Sequence, residues 1–324
     1  MAVPTGTFQT YQAVGNRESL ADVIYDITPT ETPFQARVKK GKAKATFEEW
    51  QTDALDAAAT NAQIQGDDAT TNTATPTVRL RNYCQILSKT PRVSGTQESV
   101  DKAGRASEMA YQVRKRMGEL KRDLEYALVR NQASSAGSAS VPATMAGIES
   151  WLATNKTSVG TGTSQTTPGY SGGTVVSPTD STVTGSVAES ALKAVIQAVW
   201  TAGGNPEVLM VGPATKSKVS GSFAGIATRF LDVDRGKMAS IVSGADIYVS
   251  DFGRHEIVPN RFMRDQNILV LDMDYWELAQ LRTLKVMDLA KTGDSDRKQL
   301  LMEVTLKTLN EKASGKVTDI NPAL

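Results

Sequence analysis

The chain has 324 residues, of which 22% are charged and 40% hydrophobic, and its 36 basic and 35 acidic side chains leave a formal net charge of +1. This composition excludes a wholly disordered chain, and a net charge so close to zero creates no global field that would attract nucleic acid. We expect no transmembrane helix and no secretion signal, and the single cysteine, Cys84, excludes an intrachain disulfide and favours a reducing compartment.

Residues 1 to about 35 are predicted to form an extended arm, because Pro4, Pro29 and Pro33 forbid long helices. A short helical patch is expected near residues 20–25, where apolar side chains share one face. A frayed terminus is the alternative interpretation of such a segment.

A basic cluster follows the arm. A contact with a polyanion is one interpretation, but we favour the solvated edge of a strand that lysines protect from aggregation. The cluster has five cations within eight positions: Arg37, Lys39, Lys40, Lys42 and Lys44.

Two segments of alternating pattern predict a long β-hairpin. Apolar and polar residues alternate from Lys42 to Trp50 and again from Val78 to Leu87, and a polar stretch with a mobile tip at Gly66 separates the two segments. An isolated two-stranded ribbon is barely stable in water. We therefore expect this ribbon to project and to rest on another copy of the protein.

The segment Ser107–Gln132 organises the chain, because it has a sustained amphipathic helical pattern. At 1.5 Å per residue such a helix is about 40 Å long, which predicts a strut across a flat molecule, and Ser107 is its predicted N-cap. The apolar stripe consists of Met109, Val113, Met117, Leu120, Leu124 and Leu128.

The region after this helix is rich in Ser, Thr and Gly. Within it, Met145–Asn155 is predicted to contain a short anchored helix. Residues 156–185 have low complexity and no core-forming pattern, so they are predicted to be a loop or insertion of high mobility.

A compact third region begins at Ser186, which is predicted to form a capping box with Glu189 and to start a helix that ends at Gly203. Strands and a short helix at Ala214 follow without a regular βαβ repeat, so the predicted fold class is α+β. The expected strands are Glu207–Val211, Ala245–Ser250, His255–Pro259, Asn267–Asp272, Trp276–Leu281, Leu284–Ala290 and Leu300–Leu309.

We predict no catalytic residue, no cofactor site and no metal site. His255 is the only histidine, and a lone histidine at the start of a strand is more often structural than a ligand or a base. Cys84 has no histidine near it in sequence, and the glycine pairs Gly160/Gly162 and Gly172/Gly173 do not lie between a strand and a helix, as phosphate loops do. Turn capping is the commoner use of four aspartates that match no Ca²⁺ loop: Asp272, Asp274, Asp294 and Asp296.

The order of these parts, an arm, a long ribbon, a strut helix and a mixed α/β region, resembles the major capsid proteins of tailed bacteriophages with the HK97-type fold. The resemblance covers nearly the full length except residues 156–185, and it depends on the joint order of the segments because none is specific alone. The segments that carry it are FQTYQAVGNRESLADVIYDITPTETPF (8–34), EEWQTDAL (48–55), VDKAGRASEMAYQ (100–112), KRDLEYAL (121–128), AGGNPEVLMVGP (202–213), YVSDFG (248–253), VPNRF (258–262), LDMDYWELAQLR (271–282), LAKTGDSDRKQLL (289–301) and NEKASGKV (310–317).

The resemblance also implies names and limits for the parts. They would be an N-terminal arm (1–35), an extended loop (36–92), a peripheral domain (93–185) with a spine helix (107–132), an axial domain (186–281) and return strands of the peripheral domain (282–324).

The implied function is that of a structural, non-enzymatic subunit that assembles with itself, as pentamers and hexamers, into an icosahedral head around double-stranded DNA held without sequence specificity. Scaffold and portal proteins are further implied partners, a membrane is not, and assembly in the host cytoplasm would place the product in the virion capsid. The candidate contacts between subunits are Phe8, Tyr11, Phe47, Trp50, Arg79 and Arg81. The basic face of the spine helix would either face the lumen or pair with acidic groups of a neighbour: Arg114, Lys115 and Arg122.

Two other functions remain open at this point. An encapsulin-like compartment would use the same fold to enclose a protein cargo instead of DNA. A monomeric hydrolase or sugar-binding protein would use the aspartate-rich turns, and it would remain a monomer at every concentration.

Overall fold

The computed structural model describes residues 28–68, 71, 73–161, 164–181, 184–224, 246–321 and 323. The predicted helical patch near residues 20–25 and the contact candidates Phe8 and Tyr11 lie outside these ranges. Within the described residues, helices and strands mix in an α+β fold. No helix there is both long and apolar enough to cross a membrane.

The elements are numbered in chain order. The helices are α1 Pro33–Arg37, α2 Gly95–Ser99, α3 Glu108–Val129, α4 Ile148–Trp151, α5 Glu189–Thr201 and α6 Pro213–Ala224. The strands are β1 Lys39–Lys42, β2 Phe47–Thr52, β3 Val78–Tyr83, β4 Gln85–Lys89, β5 Arg92–Ser94, β6 Lys156–Ser158, β7 Gly169–Ser171, β8 Thr174–Val176, β9 Val208–Val211, β10 Ile247–Ser250, β11 Gly253–Pro259, β12 Ile268–Leu271, β13 Trp276–Asp288, β14 Ser295–Thr308 and β15 Gly315–Thr318. Two short 3₁₀ turns lie at Met273–Tyr275 and Glu311–Ala313.

One main sheet has five strands in the order β1–β13–β14–β4, with β5 paired to the start of β14. Its long antiparallel pair β13–β14 shifts register between Gln280 and Lys285, so the two strands predicted in this region are one strand with an irregular middle. Strand β1 lies at an edge of the sheet, parallel to β13, with Lys39 and Lys40 exposed. This arrangement confirms the prediction of a strand edge protected by lysines.

Helix α3 packs across this sheet against β4 and β14. Ser107 accepts a hydrogen bond from the backbone N–H of Ala110 at 3.2 Å, so the predicted N-cap is confirmed. The helix ends at Val129, slightly before the predicted end at Gln132. The predicted apolar stripe is buried or partly buried in the core, which fixes the orientation of the helix about its own axis.

The second main sheet has six strands in the order β10–β11–β9–β12–β15–β6, and α5 packs against β15 and β6. Leu192, Ile196 and Val199 of α5 form a second core with apolar side chains of this sheet. Strands β15 and β6 come from outside the predicted axial segment 186–281, and the predicted limit after residue 281 falls inside β13. The six-stranded sheet therefore contains strands from both sides of the implied axial segment, and the domain limits stay a prediction.

The start of α5 differs from the prediction. Ala188 occupies the N-cap and makes no side-chain cap, because the helix begins later than the proposed box at Ser186 requires. Glu189 instead pairs with Lys193 at 3.0 Å. The capping box is therefore wrong, whereas the predicted end at Gly203, which has φ of +94°, is confirmed.

Residues 156–185 also differ from the prediction, because the described part contains three short strands. Strand β6 joins the six-stranded sheet, and β7 and β8 form an antiparallel hairpin. The two turn residues, Gly172 and Gly173, have φ of +59° and +89°, a backbone conformation that glycine adopts without strain. Val175 on β8 is fully buried, so the hairpin is packed onto the body rather than being a loop of high mobility.

Candidate intersubunit surfaces

The ribbon β2–β3 has two different faces, which its register defines. Phe47 pairs with Tyr83 and Glu49 pairs with Arg81, while Gln51 lies opposite Arg79. Because side chains alternate along a strand, these residues share one face. That face is half-exposed and carries three of the predicted contacts, Phe47, Arg79 and Arg81.

Charged side chains on this face interact within the ribbon. A carboxylate oxygen of Glu49 lies 3.6 Å from a guanidinium nitrogen of Arg79 and another lies 3.6 Å from one of Arg81. Phe47 meets Tyr83 edge to face, with 6.2 Å between the ring centroids. Arg79 is the most open of these groups, with 66% of its side chain exposed, so it remains available to a neighbouring copy.

Trp50 lies on the opposite face and packs into the body of its own chain. It is only 8% exposed, and its ring lies 5.6 Å from that of Trp151 on α4. On the same face, Asn82 donates a hydrogen bond to the carbonyl of Leu306 at 2.6 Å. The base of the ribbon therefore rests on its own core through Trp50, and the contact of Trp50 with a neighbouring copy stays a prediction.

The outer part of the ribbon differs from its base. The described residues between Thr52 and Val78 contain no helix or strand. Leu55 is 100% exposed and Ile64 is 79% exposed. Covering such exposed apolar side chains with another surface lowers the free energy.

The predicted basic face of α3 is divided between solvent and the chain itself. Arg114 and Lys115 are exposed and line an open groove together with Thr28. Arg122 lies over the ring of Phe262, with 5.7 Å between the guanidinium carbon and the ring centroid. Two of the three predicted residues are thus free to meet a polyanion or an acidic neighbour, whereas the third is partly used inside the chain.

A buried carboxylate on α3, which no local sequence pattern indicates, holds α1 in place. Glu125 is fully buried, and its oxygens accept hydrogen bonds from the backbone N–H groups of Phe34 and Gln35 at 2.8 and 3.1 Å. The side-chain amide of Asn260 donates to the same carboxylate at 2.7 Å. Burial raises the pKa of Glu125, and these donors oppose that rise. The carboxylate supplies the cap that Thr32 does not give to α1.

A second buried carboxylate lies on α4, the short helix that the sequence predicted. Glu149 is 1% exposed, and Arg264 reaches it with two hydrogen bonds, of 2.6 and 3.1 Å, and also pairs with Asp180 at 2.7 Å. Asn267 donates to Glu149 at 2.6 Å, and the ammonium of Lys316 donates to the Glu149 backbone carbonyl at 2.8 Å. Burial raises the pKa of Glu149 against the charge of Arg264, and burial lowers the pKa of Lys316 to about 8.

The residues considered for chemistry have structural roles. Burial raises the pKa of the Cys84 thiol to about 11, which disfavours the nucleophilic thiolate. Asp272 accepts hydrogen bonds from the backbone N–H groups of Asp274 and Asn205, so turn capping is confirmed for it. Asp296, at the start of β14, pairs with Lys291 in the turn between β13 and β14. In the described ranges, no group of three or more His, Cys, Asp or Glu side chains is arranged to hold a metal ion.

His255 is buried between two hydrogen bonds of 2.6 Å. The carbonyl of Pro206 can only accept, so Nδ1 of the neutral ring carries the proton and Nε2 accepts from the Ser250 hydroxyl. Burial lowers the pKa of His255, because a charged imidazole is poorly solvated there. The histidine therefore stabilises the β10–β11 hairpin in its neutral form.

We expect His255 to make the fold sensitive to acid. Its pKa in the unfolded chain is about 6.5 and in the folded chain is lower, so the unfolded state binds more protons as the pH falls below about 6.5 and stability is lost. One proton allows a slope of at most about 1.4 kcal/mol per pH unit. Thermal unfolding between pH 7.5 and 5 should therefore show a steeper loss for the native chain than for His255→Gln, and equal slopes would contradict this role.

Comparisons with known proteins place this fold among phage capsids. The sequence profile of the SU10 major capsid protein family matches residues 3–321. The major capsid protein of Escherichia phage Phieco32 is 30% identical over an alignment of 350 residues that covers 97% of each chain.

Solved structures share the fold at low sequence identity. The capsid asymmetric unit of cyanophage A-1(L) matches with a TM-score of 0.72 at 11% identity, covering 96% of this chain and 98% of that one. The capsid of a native GTA particle matches with a TM-score of 0.59 at 15% identity, covering 95% and 96%. The architecture is therefore the HK97-like capsid fold, and the chain belongs to the SU10 major capsid protein family.

Proposed function

We propose that this phage major capsid protein forms pentamers and hexamers of itself, which close into the icosahedral head around double-stranded DNA. The exposed apolar side chains of the ribbon carry this proposal. Covering a side chain such as Leu55 or Ile64 contributes about 1.5–3 kcal/mol, and many weak contacts repeated over a closed shell add up to a stable particle. The role is structural, and it requires no catalytic residue.

The charge distribution supports DNA as the content of the head. The formal net charge of +1 allows a lining that does not bind phosphates tightly, since each neutralised phosphate would restrain the packaged genome. Arg114 and Lys115 are two exposed cations of α3, and we propose that they either face the lumen or pair with a neighbour's acids. We further propose assembly in the host cytoplasm with separate scaffold and portal proteins, which places the product in the virion capsid.

The test is the size of the expressed protein. We expect sedimentation and negative-stain microscopy of the native chain to show shells or capsomers. The double variant Leu55→Asp/Ile64→Asp is expected to lose these particles while its melting temperature stays unchanged, because both side chains are exposed. A variant at a polar exposed position of the same loop, Thr60→Asp, is the control and should assemble.

Two results would contradict the proposal. One is a native chain that remains a 34.7 kDa monomer at every concentration, including in the presence of the other head proteins. The other is normal particles from the double variant, which would show that the outer ribbon does not contribute to assembly.

A further inference from the structure

The hairpin β7–β8 contacts the base of the ribbon through a row of aromatic rings. The ring of Tyr170 on β7 stacks on Trp151, with 6.0 Å between centroids and an angle of 3° between planes. Trp151 is 1% exposed and lies against Trp50 of β2. The three rings therefore connect the hairpin, helix α4 and the ribbon in one packed row.

Arg81 of β3 makes a second connection between the ribbon and the hairpin. Its guanidinium lies above the hairpin turn, where a Cβ added to Gly173 would come within 3.1 Å of it. A hydrogen bond with the Tyr170 side chain raises the pKa of Arg81. The turn thus needs glycine for its backbone conformation and also for the close approach of this arginine.

The hairpin is itself fixed to the body on both sides. The Val175 N–H donates to the Ser134 hydroxyl at 2.6 Å, and the Val175 carbonyl accepts from the Ser134 N–H at 2.9 Å. After the hairpin, Asp180 pairs with Arg264, and Gln165, which precedes it, donates to Asp180 at 2.9 Å. A short hairpin that is anchored in this way can restrict the movement of the ribbon, whereas a free loop cannot.

We propose that the hairpin β7–β8 is a brace that fixes the direction in which the ribbon β2–β3 leaves the body. The inference rests on the proposed function for its purpose, since the direction of the ribbon decides where its outer part meets the next copy. Tyr170 is a positioning residue in this device, because its ring stacks on Trp151 and its strand leads into the turn that Arg81 approaches.

The brace is tested by hydrogen exchange of the unassembled protein. Tyr170→Ala is expected to speed amide exchange in β2 and β3 by about tenfold or more, because the ribbon loses its support while α3 and α5 retain theirs. Tyr170→Phe keeps the stacked ring and removes only the hydroxyl, so protection of the ribbon is expected to lie between that of Tyr170→Ala and that of the native chain, and closer to the native chain. Val195→Ala, in the core of the second sheet, is the control for general loss of stability.

Two results would overturn the proposal. One is native-like exchange of the ribbon in Tyr170→Ala, and the other is an increase no larger than that in Val195→Ala at equal loss of melting temperature. These measurements need no shell, so they stand apart from the proposed function. If the native chain forms shells, Tyr170→Ala is expected to give fewer particles or particles of a different size. Unchanged yield and size would show that the brace has no role in assembly.

Discussion

Replacing Arg264 with methionine is expected to lower the free energy of unfolding by about 3–5 kcal/mol. The guanidinium is the only cation that the described contacts place directly on the carboxylate of Glu149, which is 1% exposed. Without it, Glu149 keeps a buried charge whose remaining donors are neutral amides, and Asp180 loses its ion pair. At about 2 °C per kcal/mol the melting temperature should fall by about 6–10 °C, which thermal unfolding followed by circular dichroism measures.

A matched substitution separates the buried pair from an ordinary surface pair. Lys298 lies 2.9 Å from Asp288, whose side chain is 79% exposed. Lys298→Met is therefore expected to cost less than about 1 kcal/mol. In the double variant Arg264→Met/Glu149→Gln the unpaired charge is gone, so part of the lost stability should return. Additive losses in the double variant would show that the cost does not come from the unpaired charge.

The sequence predicted those helices and strands in which the spacing of apolar residues reflects which face is buried. The stripe from Met109 to Leu128 repeats at helical spacing because one face of α3 lies on the core, and Ser107 is a cap by its own local chemistry. The alternation from Lys42 to Trp50 likewise predicted a strand, and β2 covers its second half and ends at Thr52. Such patterns depend only on residues a few positions apart, so one sequence is enough to interpret them.

The sequence pattern of a strand does not show which surface covers each of its two faces. The alternation places Trp50 and Phe47 on opposite sides of β2, but it does not say whether the body or another copy covers either side. The sequence GYSGGTVV at 169–176 did contain a sign of a hairpin, since two glycines separate segments with aromatic and β-branched residues. The Ser- and Thr-rich composition of residues 156–185 outweighed this hairpin signal, and the interpretation of the segment as a mobile loop was wrong.

Buried carboxylates were also invisible in the sequence. Glu125 and Glu149 lie in helices, where glutamate is usually a solvated surface residue. Their donors come from distant segments, since Asn260 is 135 positions from Glu125 and Arg264 is 115 positions from Glu149. Only the folded chain brings these groups together, so the residues that join its parts could not be identified from local patterns.

Glu125→Ala is expected to lower the free energy of unfolding by about 2–5 kcal/mol, because it leaves the buried Phe34 N–H without an acceptor and the Asn260 amide with only the weak acceptor Sδ of Met210. The loss should be greatest at α1, whose Phe34 is fully buried and meets Trp276 edge to face at 6.5 Å. Thermal unfolding gives the total cost, and hydrogen exchange at Ala36 and Val38, which bond within α1, reports the local loosening.

Two other substitutions identify the cause of that loss. Glu119→Ala removes a carboxylate from the same helix, but Glu119 pairs with a partly exposed Arg116, so a cost below about 1 kcal/mol is expected. Glu125→Gln retains one oxygen for Phe34 and Asn260 and turns an N–H₂ group towards Gln35, so its cost should lie between the two alanine variants. If Glu125→Ala were as mild as Glu119→Ala, or if exchange at α1 did not change, α1 would be held by its apolar contacts alone and the carboxylate would have no part in joining α1 to α3.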